Sequence, residues 1–352
     1  MSPGGGSVAG WAVRCNPVLL VVTDERCADH TAGTHHPERP DRLWAALDGV
    51  ARAGFADALE YVTPRPATDE DLTLVHTAEL VSHVRSVGDA GGGRLDPDTV
   101  MNDASLDAAL LAAGSVLTAV DRLLDDARLH GAYCVVRPPG HHATADRSMG
   151  FCLFNSVAIA AASRAHAGEK VAIVDIDAHH GNGTQDIFVR DPRVFYASVH
   201  QSPLYPGTGA LTERGEDAGI GTTVNVPLPP GATGDIARRA IDDVIGPAIG
   251  DFGPDWLFVS AGYDGHRADP ITDLGYTSTD IGDLMGALGT LVPPARTVVV
   301  LEGGYDLDAV RDSSSAVVAR LLGENLRPEP SGEGGPGREI VDLARRLHRE
   351  QG

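Results

Sequence analysis

The sequence predicts an α/β fold: an open, mostly parallel sheet with helices on both faces and its ligand chemistry at the carboxyl ends of the strands. Three observations carry that expectation. Short, continuous apolar runs alternate with amphipathic stretches, as strands buried on both faces alternate with the helices that cover them. The 352 residues suffice for one large α/β domain. Hydrophobic residues make up 42% and charged residues 22%, which excludes a wholly disordered chain.

The elements follow in order. Residues 1–16 are Gly-rich and expected to be flexible, and the domain is expected over 17–325. Val18–Val22, Ala132–Val136, Val171–Ile176, Val194–Val199, Trp256–Ser260 and Thr297–Leu301 read as buried strands. Ser105 is placed to cap a helix that brings Leu106, Leu110, Leu117, Val120 and Leu124 near one face. Ile236–Ile249 and Thr279–Leu291 have the same helical pattern. Leu326–Gly337, LRPEPSGEGGPG, reads as a linker, and a short helix, Arg338–Arg349, is expected after it within 326–352.

Composition narrows the function. The formal charge of 28 − 49 = −21 argues against nucleic acid and is compatible with a cationic substrate. No run approaches the ~20 apolar residues of a membrane helix. The opening MSPGGGSVAG lacks a secretory pattern, and Cys15, Cys27, Cys134 and Cys152 form no CxxC pair. The expected compartment is the reducing cytoplasm.

Four constellations carry chemistry, each directly after an apolar run. In Asp175-Ile176-Asp177-Ala178-His179-His180-Gly181-Asn182, alternate side chains of an extended segment share a face. Asp175, Asp177 and His179 then project together, and two carboxylates with an imidazole suit a divalent cation. A lone DxD would instead read as a polar loop capping the next helix. In Arg137-Pro138-Pro139-Gly140-His141-His142, the adjacent imidazoles suit proton transfer, metal ligation or a surface turn. Asp264, in Ser260-Ala261-Gly262-Tyr263-Asp264, is a third ligand or a helix cap. Tyr305, in Glu302-Gly303-Gly304-Tyr305-Asp306, is an oxyanion donor or a turn aromatic.

Together these segments resemble the histone deacetylase superfamily over about residues 18–320. RPPGHHA, GFCLFN, DIDAHHGNGTQ, SVHQSPLYPGTG, AGYDGHRADP and LEGGYD occur in the family's order. HHPERPDRL and Asn182 are similar to the class II branch and its bacterial amidohydrolase relatives. The resemblance implies the arginase–deacetylase fold and a catalytic zinc site of Asp177, His179 and Asp264. It implies His142 as general base, His141 as electrostatic helper, and Asp175 and Asn182 as their respective orienting partners. Tyr305 would bind the oxyanion; the weakly active class IIa relatives have His there. Gly150, Phe151 and Tyr205 would wall the substrate tunnel. Gly303, Ile271 and Asp98 would border the substrate, with Asp96 a neighbouring competitor for the role of Asp98. A structural K⁺ or Na⁺ is implied at an inner site of Asp175, Asp177, His179, Ser198 and Val199. An outer site would use the carbonyls of Phe188, Asp191, Val194 and Thr222.

The expected function is zinc-dependent hydrolysis of an acylated amine on a linear alkyl chain, most simply acetyl-lysine. Fe²⁺ or Co²⁺ also suits the ligand set. The enzymatic alternative is an acetylpolyamine or other small-molecule amidohydrolase, disfavoured because Ile271 stands where polyamine-selective relatives carry glutamate. An arginase-like two-metal enzyme fits poorly with Asn182. A non-enzymatic acyl-chain scaffold would be expected to lose a ligand, His142 or Tyr305, and none is lost.

Overall fold

The computed structural model describes residues 17–349. Residues 1–16, expected to be flexible, lie outside the described residues. The strands, in chain order, are β1 (Val18–Val22), β2 (Leu59–Val62), β3 (Gly92–Arg94), β4 (Val100–Asn102), β5 (Leu129–Cys134), β6 (Val171–Asp175), β7 (Val194–Gln201), β8 (Thr223–Leu228), β9 (Trp256–Ala261) and β10 (Thr297–Leu301). Eight of them form one sheet in the order β2-β1-β5-β10-β9-β6-β7-β8, and every pairing in it is parallel. β3 and β4 make a separate antiparallel ribbon.

The helices are α1 (Asp41–Arg52), α2 (Asp69–Leu72), α3 (Ala78–Asp89), α4 (Ser105–Asp125), α5 (Ser156–His166), α6 (Asn182–Phe188), α7 (Gly234–Ala240), α8 (Gly246–Phe252), α9 (Ser278–Leu288), α10 (Leu307–Leu321) and α11 (Arg338–Arg349). α10 packs on α1 and α9, α4 packs on α5, and α11 covers the edge strand β8. Every residue of β6, β9 and β10 is buried, which is why those runs are apolar without alternation. Trp256, Phe258 and Leu257 are fully buried in β9. Each large apolar side chain so enclosed contributes about 1.5–3 kcal/mol.

Several local expectations shift. β5 ends at Cys134, so Val135 and Val136 open the loop that follows. β2 and β8 have no clear signal in the sequence: β2 is half exposed at a sheet edge, and TVNVPL in β8 is broken by Asn225 and Pro227. Proline is tolerated there because β8 is the other edge. Ser105 is the first residue of α4 rather than its cap; its hydroxyl accepts the Asn102 N–H at 2.8 Å and meets His30 Nδ1 at 2.7 Å. Leu124 is exposed near the end of the helix, off the buried face. The Ile236–Ile249 helix is interrupted by a π-turn at Ile241–Ile245, between α7 and α8. The three described cysteines are free and buried. No helix among the described residues is long and apolar enough to cross a membrane.

Candidate active site

The four constellations meet because their strands are neighbours. β5, β10, β9 and β6 are consecutive in the sheet, and each delivers its loop at the same, carboxyl end. Asp175 closes β6 opposite Ser198 on one side and Ser260 on the other. Asn155 caps α5 and Asp306 caps α10, each accepting a backbone N–H, so the loops that end there are held at both ends.

Asp177, His179 and Asp264 converge, with their ligand atoms within 4.8 Å of one another. His179 Nδ1 lies 3.1 Å from Asp177 Oδ1 and 3.0 Å from Asp264 Oδ2. Asp177 Oδ1 also accepts the His179 N–H at 2.8 Å, its Oδ2 accepts the Gly303 N–H at 2.8 Å, and Asp264 Oδ1 accepts the Ala178 N–H at 2.8 Å. Asp177 and Asp264 are wholly buried and face an imidazole, a donor set able to hold a cation. Without one, the proton on His179 supplies the charge: burial opposes it, but Asp264 and Asp177 raise its pKa to about 10. The donor set, two carboxylates and an imidazole, fits a divalent metal.

His141 and His142 lie side by side, with ring centroids 4.0 Å apart. His141 Nδ1–H donates to Asp175 Oδ2 at 2.9 Å, and His142 Nδ1–H donates to Asn182 Oδ1 at 2.8 Å. The partners differ in charge and the titrations diverge. Burial disfavours a charged His141, yet Asp175 and Asp177 hold its pKa well above the ordinary value. Burial, together with the charges of His141 and His179, pushes His142 well below it.

Tyr305 is 8% exposed, and its N–H donates to Asp269 Oδ2 at 2.7 Å. The Arg42 guanidinium sits 4.9 Å from its ring centroid. Arg42 also donates to the carbonyls of Gly304 and Glu302. Behind it, Glu38 accepts from Arg42 and Arg137, all three side chains being fully buried. Burial raises the Glu38 pKa, but Arg137, His30 and Arg42 outweigh that and hold it well below the usual range.

Phe151 and Tyr205 stand beside this centre. The Phe151 ring is 6.0 Å from Tyr305, edge to face, and the Tyr205 ring is 5.1 Å from His142. Gly150 and Phe151 both adopt positive φ, 56° and 69°. Thr99 Oγ1 accepts the Phe151 N–H at 3.1 Å and donates to Asp98 Oδ1 at 3.1 Å, which links Asp98 to the Phe151 loop. Asp96 turns inward on its own loop and accepts the Asp98 N–H at 2.8 Å. Ile271, 36% exposed, is held by its N–H to Asp269 Oδ1 at 3.0 Å.

Ser198 lies beside Asp175, and its hydroxyl is 2.9 Å from His200 Nδ1. The carbonyls of Phe188 and Asp191 accept the N–H groups of Asp191 and Val194, leaving each a second lone pair. Val199 follows Ser198 in β7.

Sequence reasoning gave no role to Glu302, Asp269, Glu38 or Arg42. Glu302 Oε2 accepts the Gly140 N–H at 2.6 Å and the His141 N–H at 3.2 Å, tying β10 to the His pair. Its ligand atom also lies within 4.8 Å of those of His141 and Cys152. The motifs HHPERPDRL and LEGGYD contain three of these residues, but only the fold shows what they touch.

The chain is similar to known deacetylases. The histone deacetylase domain matches residues 36–321. A probable deacetylase of Archaeoglobus fulgidus is 38% identical over 316 residues, covering 88% of each chain. A histone deacetylase-like amidohydrolase of Pseudomonas aeruginosa is 36% identical over 330 residues, covering 85% of each. Among solved structures, the HDA15 HD domain superposes with a TM-score of 0.87 at 36% identity, covering 96% of this chain and 95% of that one.

Proposed function

The chain belongs to the histone deacetylase family, and on that premise we propose that it is a zinc-dependent, cytoplasmic deacetylase that removes an acetyl group from a lysine-type amine. The observation that carries this reading is the buried convergence of Asp177, His179 and Asp264 beside the paired rings of His141 and His142. A divalent cation held by those three residues supplies Lewis acidity toward an amide carbonyl and a water molecule.

The chain's own groups do the rest. His142 Nε2 takes a proton as water adds to the carbonyl and returns it to the departing amine. Asn182 holds the His142 ring by its Nδ1–H without adding charge. His141, paired with Asp175, contributes a positive charge beside the reacting atoms. The Tyr305 hydroxyl donates to the oxygen that gains negative charge. Burial, the first of its influences, keeps that phenol well above its ordinary pKa and therefore protonated. Gly150, Phe151 and Tyr205 flank the alkyl chain, each enclosed methylene contributing about 0.8 kcal/mol. Asp98 receives a backbone or amine N–H at the rim, and Gly303 keeps the floor open. Ile271 offers no carboxylate to a cationic chain, which favours peptide-borne lysine over free polyamine. A structural K⁺ or Na⁺ is proposed behind the site at the carbonyls of Asp177, His179 and Val199 with Asp175 and Ser198, and a second at those of Phe188, Asp191 and Val194.

The test is turnover of acetyl-lysine peptide, longer acyl-lysine peptides, acetylputrescine and acetylspermidine by zinc-loaded protein, each with a chelator control. Chelator-sensitive hydrolysis of acetyl-lysine peptide is expected. Preference for the free polyamines, or turnover that survives metal removal, would overturn the reading.

A further inference from the structure

We propose that Glu329, in the Pro/Gly-rich segment that follows the family domain, is a positioning residue for the active site: it fixes the loop from Asp264 to Ile271 and, through it, the peptide of Tyr305. The inference rests on the function proposed above. Glu329 lies beyond the residues that match the histone deacetylase domain, 36–321.

The segment is anchored along its length. The Glu329 carbonyl accepts the Thr279 hydroxyl, the Gly332 N–H donates to Asp280 Oδ2 at 2.9 Å, and the Gly335 N–H donates to Thr233 Oγ1 at 2.8 Å. It therefore lies across the first turns of α9 and α7. From this anchored backbone the Glu329 side chain reaches the site loop. Its Oε1 accepts the Ser278 N–H at 2.9 Å and meets His266 Nε2 at 2.7 Å, while Arg267 donates to Oε2.

His266 carries the restraint onward. Its Nδ1 accepts the Ala268 N–H at 3.1 Å, so Nε2 holds the ring proton and donates it to Glu329. The His266 carbonyl accepts the Asp269 N–H at 2.8 Å. Asp269 then divides its carboxylate: Oδ1 accepts the N–H of rim residue Ile271 at 3.0 Å, and Oδ2 accepts the Tyr305 N–H at 2.7 Å. One end of this chain of contacts is two residues from ligand Asp264, and the other is the peptide of the oxyanion donor. The His266 side chain is 8% exposed and that of Glu329 22%, which sets the contact apart from an open surface ion pair.

The experiment uses the full metal-loaded chain with Glu329→Ala, Glu329→Gln and, as a control on the same segment, Arg327→Ala. Glu329→Ala is expected to lower kcat on acetyl-lysine peptide about tenfold, with KM and metal content unchanged, because a displaced donor costs rate more than binding. Glu329→Gln keeps an acceptor for His266 and recovers most of the loss, and Arg327→Ala leaves kcat unchanged. In a Tyr305→Phe background, Glu329→Ala is expected to cost less than twofold. Hydrogen exchange of the peptides covering 264–271 and Tyr305 is expected to accelerate in Glu329→Ala alone. Equal kinetic cost in both backgrounds, or unchanged exchange at Tyr305, overturns the proposal. If the wild-type protein proves inactive on acyl-lysine, the proposed function fails, and the exchange measurement still decides the role of Glu329.

Discussion

Gly150 is where the backbone presses on the proposed base. Its φ is +56°, and a Cβ built there would lie 2.5 Å from His142 Cδ2 and 2.8 Å from its Cγ. Ordinary carbon contacts begin at roughly 3.5 Å, so alanine overlaps the ring by about 1 Å. The left-handed backbone adds about 1–2 kcal/mol of strain for any side chain. Relief by moving the backbone disturbs Phe151, itself at φ 69°. Relief by moving the ring breaks the 2.8 Å bond from His142 Nδ1–H to Asn182. A misplacement of about 1 Å at a reacting group costs on the order of 10²-fold in rate. Gly150→Ala is therefore expected to lose about two orders of magnitude in kcat while retaining its metal, because Asp177, His179 and Asp264 are not what the new methyl meets. The assay is kcat on acetyl-lysine peptide alongside metal content by elemental analysis. Activity within threefold of wild type would refute the claim that His142 is held in place by the absence of a side chain at residue 150.

Other substitutions separate the remaining parts. Gly303→Ala places a methyl 2.3 Å from Asp264 Oδ2 and 2.5 Å from Asp177 Oδ2; here metal content itself is expected to fall, and full occupancy by elemental analysis would contradict the ligand assignment. Asn182→Asp sets a carboxylate against His142 Nδ1 and raises the pKa of the imidazole. The acid limb of the kcat–pH profile should then move to higher pH, and an unmoved limb would argue against His142 as the base. Glu38→Ala strands Arg42 and Arg137, both fully buried, at an expected cost of about 3–5 kcal/mol in urea unfolding. His76 is held neutral: burial drops its pKa from 6.5 to about 4. Above pH 6.5 neither the folded nor the unfolded state is protonated there; below it only the unfolded chain takes the proton, so stability falls with pH until about pH 4. The contribution is about 2 kcal/mol between pH 7 and pH 5, and His76→Gln should flatten the pH dependence of unfolding by that amount.

Much of the centre was legible because it depends on local order. Asp177 and His179 follow directly on the strand VAIVD, although the chain bends at 177–179 instead of continuing extended and Asp175 pairs with His141 instead of joining them; Asp264 and Tyr305 each follow an apolar strand of a parallel sheet. What stayed hidden depends on sheet order and on contacts between distant segments. Glu38, Arg42 and Arg137 are unremarkable charges until β1, β5 and β10 set their loops together. Asp269 reads as part of a polar turn, and its two carboxylate bonds link Ile271 to Tyr305. β8 was obscured by Asn225 and Pro227, residues an edge strand accepts because one of its sides makes no ladder. The Pro/Gly content of 326–337 reads as a linker, and composition is silent about which N–H groups such a backbone presents to Thr233 and Asp280.

The position of β10 bears on how the chain is born. It lies between β5 and β9 in the finished sheet, yet it is translated after both. Until Thr297–Leu301 has left the ribosome, β5 and β9 each carry an open edge along an apolar ribbon, a template for pairing with the wrong chain. The loops bearing Asp177, His142 and Asp264 exist by then, but Gly303 and Tyr305 do not. A chain that ends before β10 is thus expected to carry two unpaired strand edges and to lack Gly303 and Tyr305, so one late strand completes both the sheet and the centre.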